Sequence, residues 1–385
     1  MSSNLQSRQK RIMIIAGEAS GDQHAAKLVE GVQKQNPNLS FFGIGGSHMH
    51  DAGVEILVDS AEMAVVGLVE VLAHRKVIFG ALNRMREILR TDPPDLLILT
   101  DYPDFNLRLA KTAKECGVKV LYYISPQIWA WRQGRVKKIR ERIDMMAVVL
   151  PFEKDFYSKY DVPVRFVGHP LLDEVIPSKS HSELMQEFHL ESNKPVIGLF
   201  PGSRRSEIKR LLPIILESAS ILKQSRPDIQ FVMPIASTLA TDDIVTQIKQ
   251  TSLDILIIEH RPYDAIEICD AIISVSGTVT LEIALMETPM VIINKIAWLS
   301  YVIVKQLLKI DNIGLCNIIA GMNIVPELIQ NDATPEKISH EINKILDDQD
   351  YANTMRRNLS KIKGLLKGDD MVSLEKLVLD MLKEN

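Results

Sequence analysis

The residues Pro201-Gly202-Ser203-Arg204-Arg205-Ser206-Glu207 have the composition of a phosphate-binding loop, entered from the apolar run Val196 to Phe200 and left through an amphipathic stretch that starts at Glu207. Gly202 lets backbone approach a ligand closely. Ser203 supplies a hydroxyl, and the N–H groups at a helix start favour an anion. Arg204 adds a permanently charged, planar fork suited to a pair of phosphate oxygens. The same residues would also make an ordinary loop with a capping serine and surface arginines. A second loop, Ser276-Gly277-Thr278, follows the run Ala271 to Val275, and Glu282 lies one turn into the next helix. Its hydroxyls again suit phosphate and Glu282 suits ribose hydroxyls, against the plainer reading of a capping box. Neither loop matches the dinucleotide Gly-x-Gly-x-x-Gly or the Walker pattern, so no NAD or ATP and no other cofactor is expected.

Two such loops need scaffolds. At 385 residues the chain exceeds the size at which one core keeps growing. Ile12 to Ala16, Ser40 to Ile44, Leu96 to Thr100, Val118 to Tyr123 and Met145 to Val149 read as buried strands, with helices over Gln23 to Gln35, Val69 to Arg90 and Leu107 to Cys116. The alternation lapses around Pro177, Ser178, Ser180, His181 and Ser182. It restarts with strands at Val196 to Phe200, Gln230 to Pro234, Leu256 to Glu259, Ala271 to Val275 and Met290 to Ile293, and helices at Glu207 to Ser225 and Thr278 to Glu287. The expectation is α/β: two Rossmann-like, doubly wound domains facing a cleft, with C-terminal helices. The boundaries are residues 1–170, a linker over 171–194, 195–334, and helices over 335–385.

Composition sets further bounds. With 46% hydrophobic and 24% charged residues the chain is no disordered or collagen-like polymer. A net charge of −4 provides no global field for nucleic acid, so none is expected as a partner. Cys116, Cys269 and Cys316 are scattered and odd in number, which argues against zinc and disulfides and suits a reducing cytoplasm. The histidines show no ligand spacing, and no metal site is expected. The polar start reads as a tail before a strand, and no run of about 18 apolar residues would span a bilayer.

Four segments then occur together in order: Ala16-Gly17-Glu18-Ala19-Ser20-Gly21-Asp22, Asp101-Tyr102-Pro103-Asp104-Phe105-Asn106, Ser125-Pro126-Gln127-Ile128-Trp129-Ala130-Trp131-Arg132, and the Pro-Gly-Ser-Arg loop. With Leu150-Pro151-Phe152-Glu153, Phe166-Val167-Gly168-His169-Pro170, Ser276-Gly277-Thr278 with Glu282, and Asn317 before Ala320-Gly321, the chain closely resembles the lipid-A-disaccharide synthase family over about residues 11–330. The resemblance implies a GT-B type glycosyltransferase with a UDP-2,3-diacylglucosamine donor and a 2,3-diacylglucosamine 1-phosphate acceptor. The products would be a tetraacyl disaccharide 1-phosphate and UDP. It also implies a dimer through exchanged C-terminal helices, although the tail matches least well.

Such a reaction needs a base for the acceptor hydroxyl and positive groups for the departing UDP. The first aspartate after Thr100 matches the family's catalytic position, which makes Asp101 the expected base, with Asp104 as second candidate or helix cap. Glu18 matches another functional position, while Gly17 and Ser20 lie in a turn whose backbone donors suit the acceptor. Gln127, Trp129 and Arg132 would wall the sugar site or simply pack the domain edge, and Asn317 and Glu282 would hold nucleoside or ribose.

Acylated substrates demand contact with a bilayer. On a helix over Val71 to Arg90, Ile78, Leu82, Met85 and Leu89 form a core stripe, leaving Leu72 and Phe79 among Arg75, Lys76, Arg86 and Arg90. Apolar residues framed by cations suit anionic lipid. The basic run Arg132, Arg135, Lys137, Lys138, Arg140 and Arg142 would add attraction. A peripheral enzyme on the cytoplasmic face of the inner membrane is expected. The competing readings are a UDP-N-acetylglucosamine epimerase, another glycosyltransferase of this fold, or a silent nucleotide-sugar-binding scaffold.

Overall fold

The computed structural model describes residues 9–63, 71–131, 133–236, 239, 241–295, 312–368 and 370–383. The chain divides into two compact units, Met1–Pro170 with Gly368–Asn385, and Leu171–Lys367.

The first unit is a parallel sheet whose central strands are short apolar runs, buried on both faces as helix-covered strands must be. It comprises β1 (Arg11–Ala16), α1 (Ala19–Gln35), β2 (Ser40–Gly45), α2 (Ser47–Asp51), β3 (Glu55–Asp59), α3 (Val71–Thr91), β4 (Leu96–Thr100), α4 (Pro103–Glu115), β5 (Val120–Tyr123), α5 (Ile128–Trp131), α6 (Val136–Arg142), β6 (Met145–Val148), α7 (Pro151–Ser158) and β7 (Val164–Phe166). The sheet order is β3-β2-β1-β4-β5-β6-β7. Strand order therefore reverses between β1 and β4, which pair in register from Ile12 opposite Leu96 to Ala16 opposite Thr100. In open α/β sheets ligands bind at the carboxyl ends of the strands flanking such a switch.

The second unit repeats the plan. It comprises α8 (Leu171–Glu174), α9 (His181–Glu187), β8 (Val196–Phe200), α10 (Arg205–Ser225), β9 (Gln230–Ile235), α11 (Thr241–Ile248), β10 (Ile255–Glu259), α12 (Pro262–Glu267), β11 (Ala271–Val275), α13 (Val279–Leu285), β12 (Met290–Asn294), α14 (Leu315–Ala320), β13 (Glu327–Ile329), α15 (Pro335–Asp347) and α16 (Gln349–Lys367). Its sheet order, β10-β9-β8-β11-β12-β13, puts the switch between β8 and β11.

Strands β3, β7 and β13 escaped the sequence reading. β3 is only half-buried and β7 and β13 have three residues each, so none carries a long apolar run. The segment 171–194 holds two short helices and belongs to the second unit. Its Ser178 binds the buried Asp264 carboxylate through both N–H and hydroxyl, at 2.6 and 2.8 Å. The last helix, α17 (Leu374–Lys383), returns to the first unit and packs on α1.

On α3 the expected core stripe is present: Leu82, Met85 and Leu89 are buried and Ile78 packs against them. Phe79 stays 46% exposed, with the Arg108 guanidinium 5.7 Å above its ring. Lys76 is exposed, whereas the side chains of Leu72 and Arg75 lie outside the described residues. No described helix is long and apolar enough to cross a membrane.

Candidate active site

The carboxyl ends of β1 and β4 bring together two of the predicted segments. After Ala16 the chain passes through buried Gly17, where a Cβ would stand 2.9 Å from the Tyr102 side chain. Glu18 is the residue before α1, in extended conformation with φ −128°, and its side chain makes no capping bond. The Glu18 carboxylate is thus exposed rather than spent on its own helix. Ser20 is exposed in the first turn of α1. Asp22, which carried no expected role, is 3% exposed and locks this turn to α2 by accepting from Gly46 N at 2.6 Å, His48 N at 3.0 Å and Met49 N at 3.3 Å.

On the other strand, Asp101 and Tyr102 both have left-handed backbone, φ 54° and 42°, before Pro103 opens α4. Aspartate tolerates this region, but a tyrosine there stores strain that its surroundings must over-determine. They do: Asn106 donates to Thr100 O at 3.0 Å and also to Asp101 O, and the Tyr122 hydroxyl donates to Asp101 O at 2.7 Å. With its main chain fixed this way, Asp101 directs its carboxyl towards Gly21, where a Cβ would come within 2.1 Å of Oδ2. That oxygen is buried and finds no hydrogen-bond partner among the described residues. Burial pushes the carboxyl up to about 6, the Glu18 carboxylate pushes the same way, and His24 opposes them. The result is a carboxylate whose proton affinity suits a base working near neutrality. Gly21→Ala is accordingly expected to lower turnover by about 10²-fold with the fold intact, because misplacing a catalytic group by about 1 Å has that cost. Wild-type turnover in a folded Gly21→Ala protein would show that the carboxyl does not need this position.

Of the two readings of Asp104, the helix cap is not met. The residue before α4 is Tyr102, with Pro103 first in the helix, so Asp104 is not the cap. Its carboxylate is exposed and paired with Arg135 Nη2 at 2.7 Å. Within the basic run, Arg135 is thereby engaged, Arg140 pairs with Asp161 at 3.5 Å and Arg142 donates to Leu107 O at 2.9 Å.

Trp129 is buried, donating from Nε1 to Glu153 Oε1 at 3.0 Å and meeting Phe152 edge-on at 4.8 Å. Packing, the plainer of its two readings, describes this indole. Glu153, quoted only for its motif, gathers the segment by also accepting from Ser125 Oγ at 2.6 Å and Leu150 N at 3.2 Å. Burial pushes Glu153 up to about 7 against those bonds. Gln127 is exposed, and Arg132 lies outside the described residues.

In the second unit the carboxyl ends of β8 and β11 carry the two loops expected to hold phosphate. Gly202 has φ +102°, which demands glycine. Ser203 and Arg204 are exposed. Two backbone donors just before the helix are met from within, since Glu207 Oε2 accepts from Ser203 N at 3.1 Å and Arg204 N at 3.2 Å. The expectation of open N–H groups is thereby narrowed by two, because a carboxylate three residues into the helix reaches back to Ser203 and Arg204.

Gly277 and Thr278 are exposed, and Thr278 makes no side-chain cap at α13. Ser276 donates to Ile313 O at 3.1 Å. Glu282 lies beyond capping position; burial pushes it up to about 7, reinforced by Glu174. Tyr263 is raised by burial and by the same two carboxylates, so Glu174, Tyr263 and Glu282 form one cluster. Glu174 was missed because nothing in its local spacing marks it.

Asn317 is fully buried and its amide is spent inside its own loop. Nδ2 donates to Val325 O at 3.0 Å and Glu327 Oε1 at 2.8 Å, while Oδ1 accepts from Ile324 N at 2.8 Å and Val325 N at 3.1 Å. Four bonds exhaust a carboxamide. In this structure Asn317 braces its own loop through residues 324, 325 and 327.

Two consecutive Rossmann-type sheets followed by C-terminal helices are the architecture of the GT-B fold. Among solved structures of this fold, the chain is similar to UDP-GlcNAc 2-epimerase from Neisseria meningitidis, with TM-score 0.66, 12% identity and coverage of 97% of this chain and 100% of that one. It is also similar to a glycosyltransferase from Rickettsia africae, with TM-score 0.55, 16% identity and 98% of each chain covered. The fold alone does not choose between these chemistries.

Sequence relatives do. The lipid-A-disaccharide synthetase family model matches residues 12–378. Lipid-A-disaccharide synthase of Geobacter metallireducens is 55% identical over 97% of both chains, and that of Trichlorobacter lovleyi 56% over 94% of both. The chain belongs to the lipid-A-disaccharide synthase family and is a glycosyltransferase of lipid A biosynthesis.

Proposed function

We propose that this enzyme transfers 2,3-diacylglucosamine from UDP to 2,3-diacylglucosamine 1-phosphate by a single inverting displacement, with Asp101 as base. The Asp101 carboxylate takes the proton of the attacking acceptor hydroxyl as its oxygen bonds to the donor's anomeric carbon. The bond from that carbon to the UDP oxygen breaks and its electron pair leaves with UDP. Charge growing on the diphosphate is stabilised by Arg204, a fixed cation aimed where charge develops. Glu18 keeps the proton affinity of Asp101 high, Gly17 and Ser20 contribute to acceptor binding, and Gln127 borders the sugar. Glu282, with Glu174, receives the ribose hydroxyls. The observation that carries this reading is the Asp101 carboxyl at the β1/β4 switch: its Oδ2 is buried and without a hydrogen-bond partner among the described residues, and the group is raised to about 6. Release of UDP should require the acylated glucosamine 1-phosphate acceptor and yield a disaccharide 1-phosphate. UDP released without that acceptor, or a C2 epimer of the donor sugar, would overturn the reading.

Membrane contact is proposed at α3, supported by exposed Phe79 beside exposed Lys76. Apolar side chains among cations bind an interface by combined burial and attraction. Flotation with anionic liposomes is expected to capture the wild type at low salt and much less of Leu72→Ser/Phe79→Ser. Equal capture of both proteins would remove α3 as the contact. A homodimer is proposed through exchange of α17 between chains, reusing the contact that now places Glu375 against Gly31.

A further inference from the structure

Glu207 stands in the first turn of α10, and its two oxygens do different work. Oε2 accepts from Ser203 N and Arg204 N at 3.1 and 3.2 Å, while Oε1 accepts from the Arg204 guanidinium, Nη1, at 3.1 Å. The Glu207 side chain is 22% exposed and that of Arg204 79% exposed. A carboxylate in this position does what any anion at a helix start would do, satisfying orphan donors and the helix dipole. The loop's shape follows the carboxylate closely: Gly202 has φ +102°, and a Cβ there would lie 2.5 Å from Oε2. Arg204, by contrast, gives a single N–H to Glu207 and presents the rest of its fork outwards. An arginine held at one nitrogen has lost part of its rotamer freedom before a ligand arrives, which lowers the entropic cost of binding.

We propose that Glu207 is a positioning residue of the donor site: it fills the amides of Ser203 and Arg204 and aims Arg204, so that the donor's diphosphate is met by the guanidinium and not by those two amides. This rests on the reading of Pro201 to Arg204 as the donor-phosphate loop. Glutamine at position 207 keeps an oxygen for the two backbone N–H groups but turns an NH2 group, another donor, towards the guanidinium. It therefore separates loop shape from arginine orientation.

The test is calorimetric titration of the full chain with UDP for wild type, Arg204→Ala, Glu207→Gln and the double variant. Glu207→Gln is expected to weaken UDP binding about tenfold, within the usual range of coupling between neighbouring groups. In the Arg204→Ala background the same change should cost nothing further. Tighter binding in Glu207→Gln would mean that the carboxylate competes with the diphosphate, and unchanged binding would mean that it does not position Arg204; either overturns the proposal. So would a loss that persists undiminished without Arg204, because that is the mark of a purely structural cap. If Arg204→Ala itself binds UDP like the wild type, the donor-loop reading fails, a result distinct from the others. Gly202→Ala reaches the same state by a second route, displacing the carboxylate while keeping Glu207. It should reproduce the tenfold loss, and wild-type binding by folded Gly202→Ala would contradict the proposal.

Discussion

Asp101→Asn should lower kcat by about 10³-fold while leaving UDP affinity unchanged, as expected when a general base is removed and the donor site is left alone. Asparagine retains the shape that fits against Gly21 and the backbone held by Asn106 and Tyr122, so the loss isolates proton transfer. The pH profile carries the same signature. With the free carboxyl near 6, kcat/KM for the acceptor should fall about tenfold per pH unit below that value and level off above it. Asparagine should abolish this limb.

Stability should move the opposite way to activity. The Asp101 carboxyl is raised from 3.8 to about 6, so the folded protein binds its proton more tightly than the unfolded chain does. Folding is therefore not penalised below about pH 4, the penalty grows as pH rises through that window, and above about 6 it is complete at roughly 3 kcal/mol. Asp101→Asn removes it and should melt no lower than wild type at neutral pH. A marked fall in Tm would show that the aspartate is a structural residue.

Arg204→Ala should reduce kcat/KM for the donor by about 10²-fold, about tenfold of it in donor binding and the rest in kcat, as for the loss of a cation that holds the diphosphate and stabilises its departure. Arginine meets a leaving diphosphate with a fixed fork, and lysine would restore its charge without that geometry. Arg204→Lys is expected to recover only part of the loss. Full recovery would reduce the role of Arg204 to bulk charge.

Much of this was legible in the sequence because phosphate-site chemistry and sheet topology leave local marks. The Pro201 to Arg204 and Ser276 to Thr278 loops follow apolar strands directly, and both fall at the carboxyl ends of β8 and β11. Asp101, directly after the β4 run, could be placed the same way. The residues that build the environment of Asp101 could not. Gly21 matters through a contact made across the fold, Asn106 and Tyr122 through one carbonyl, and none lies at a telling spacing from its partner. The internal pairing of Asn317 was illegible for the mirror-image reason. An asparagine in a motif suggests a ligand contact, but only three-dimensional pairing reveals that all four of its bonds stay within residues 317–327. Glu207 was legible as a helix start and illegible as the acceptor that closes the loop.

The most direct test of the account is a single-turnover product assay by mass spectrometry, with UDP-2,3-diacylglucosamine and 2,3-diacylglucosamine 1-phosphate supplied to wild type and to Asp101→Asn loaded with donor. The wild type should form tetraacyl disaccharide 1-phosphate and UDP in equal amounts, while donor-saturated Asp101→Asn forms both about 10³-fold more slowly. Disaccharide formed by Asp101→Asn at the wild-type rate would contradict the account, because proton removal would then belong to another group.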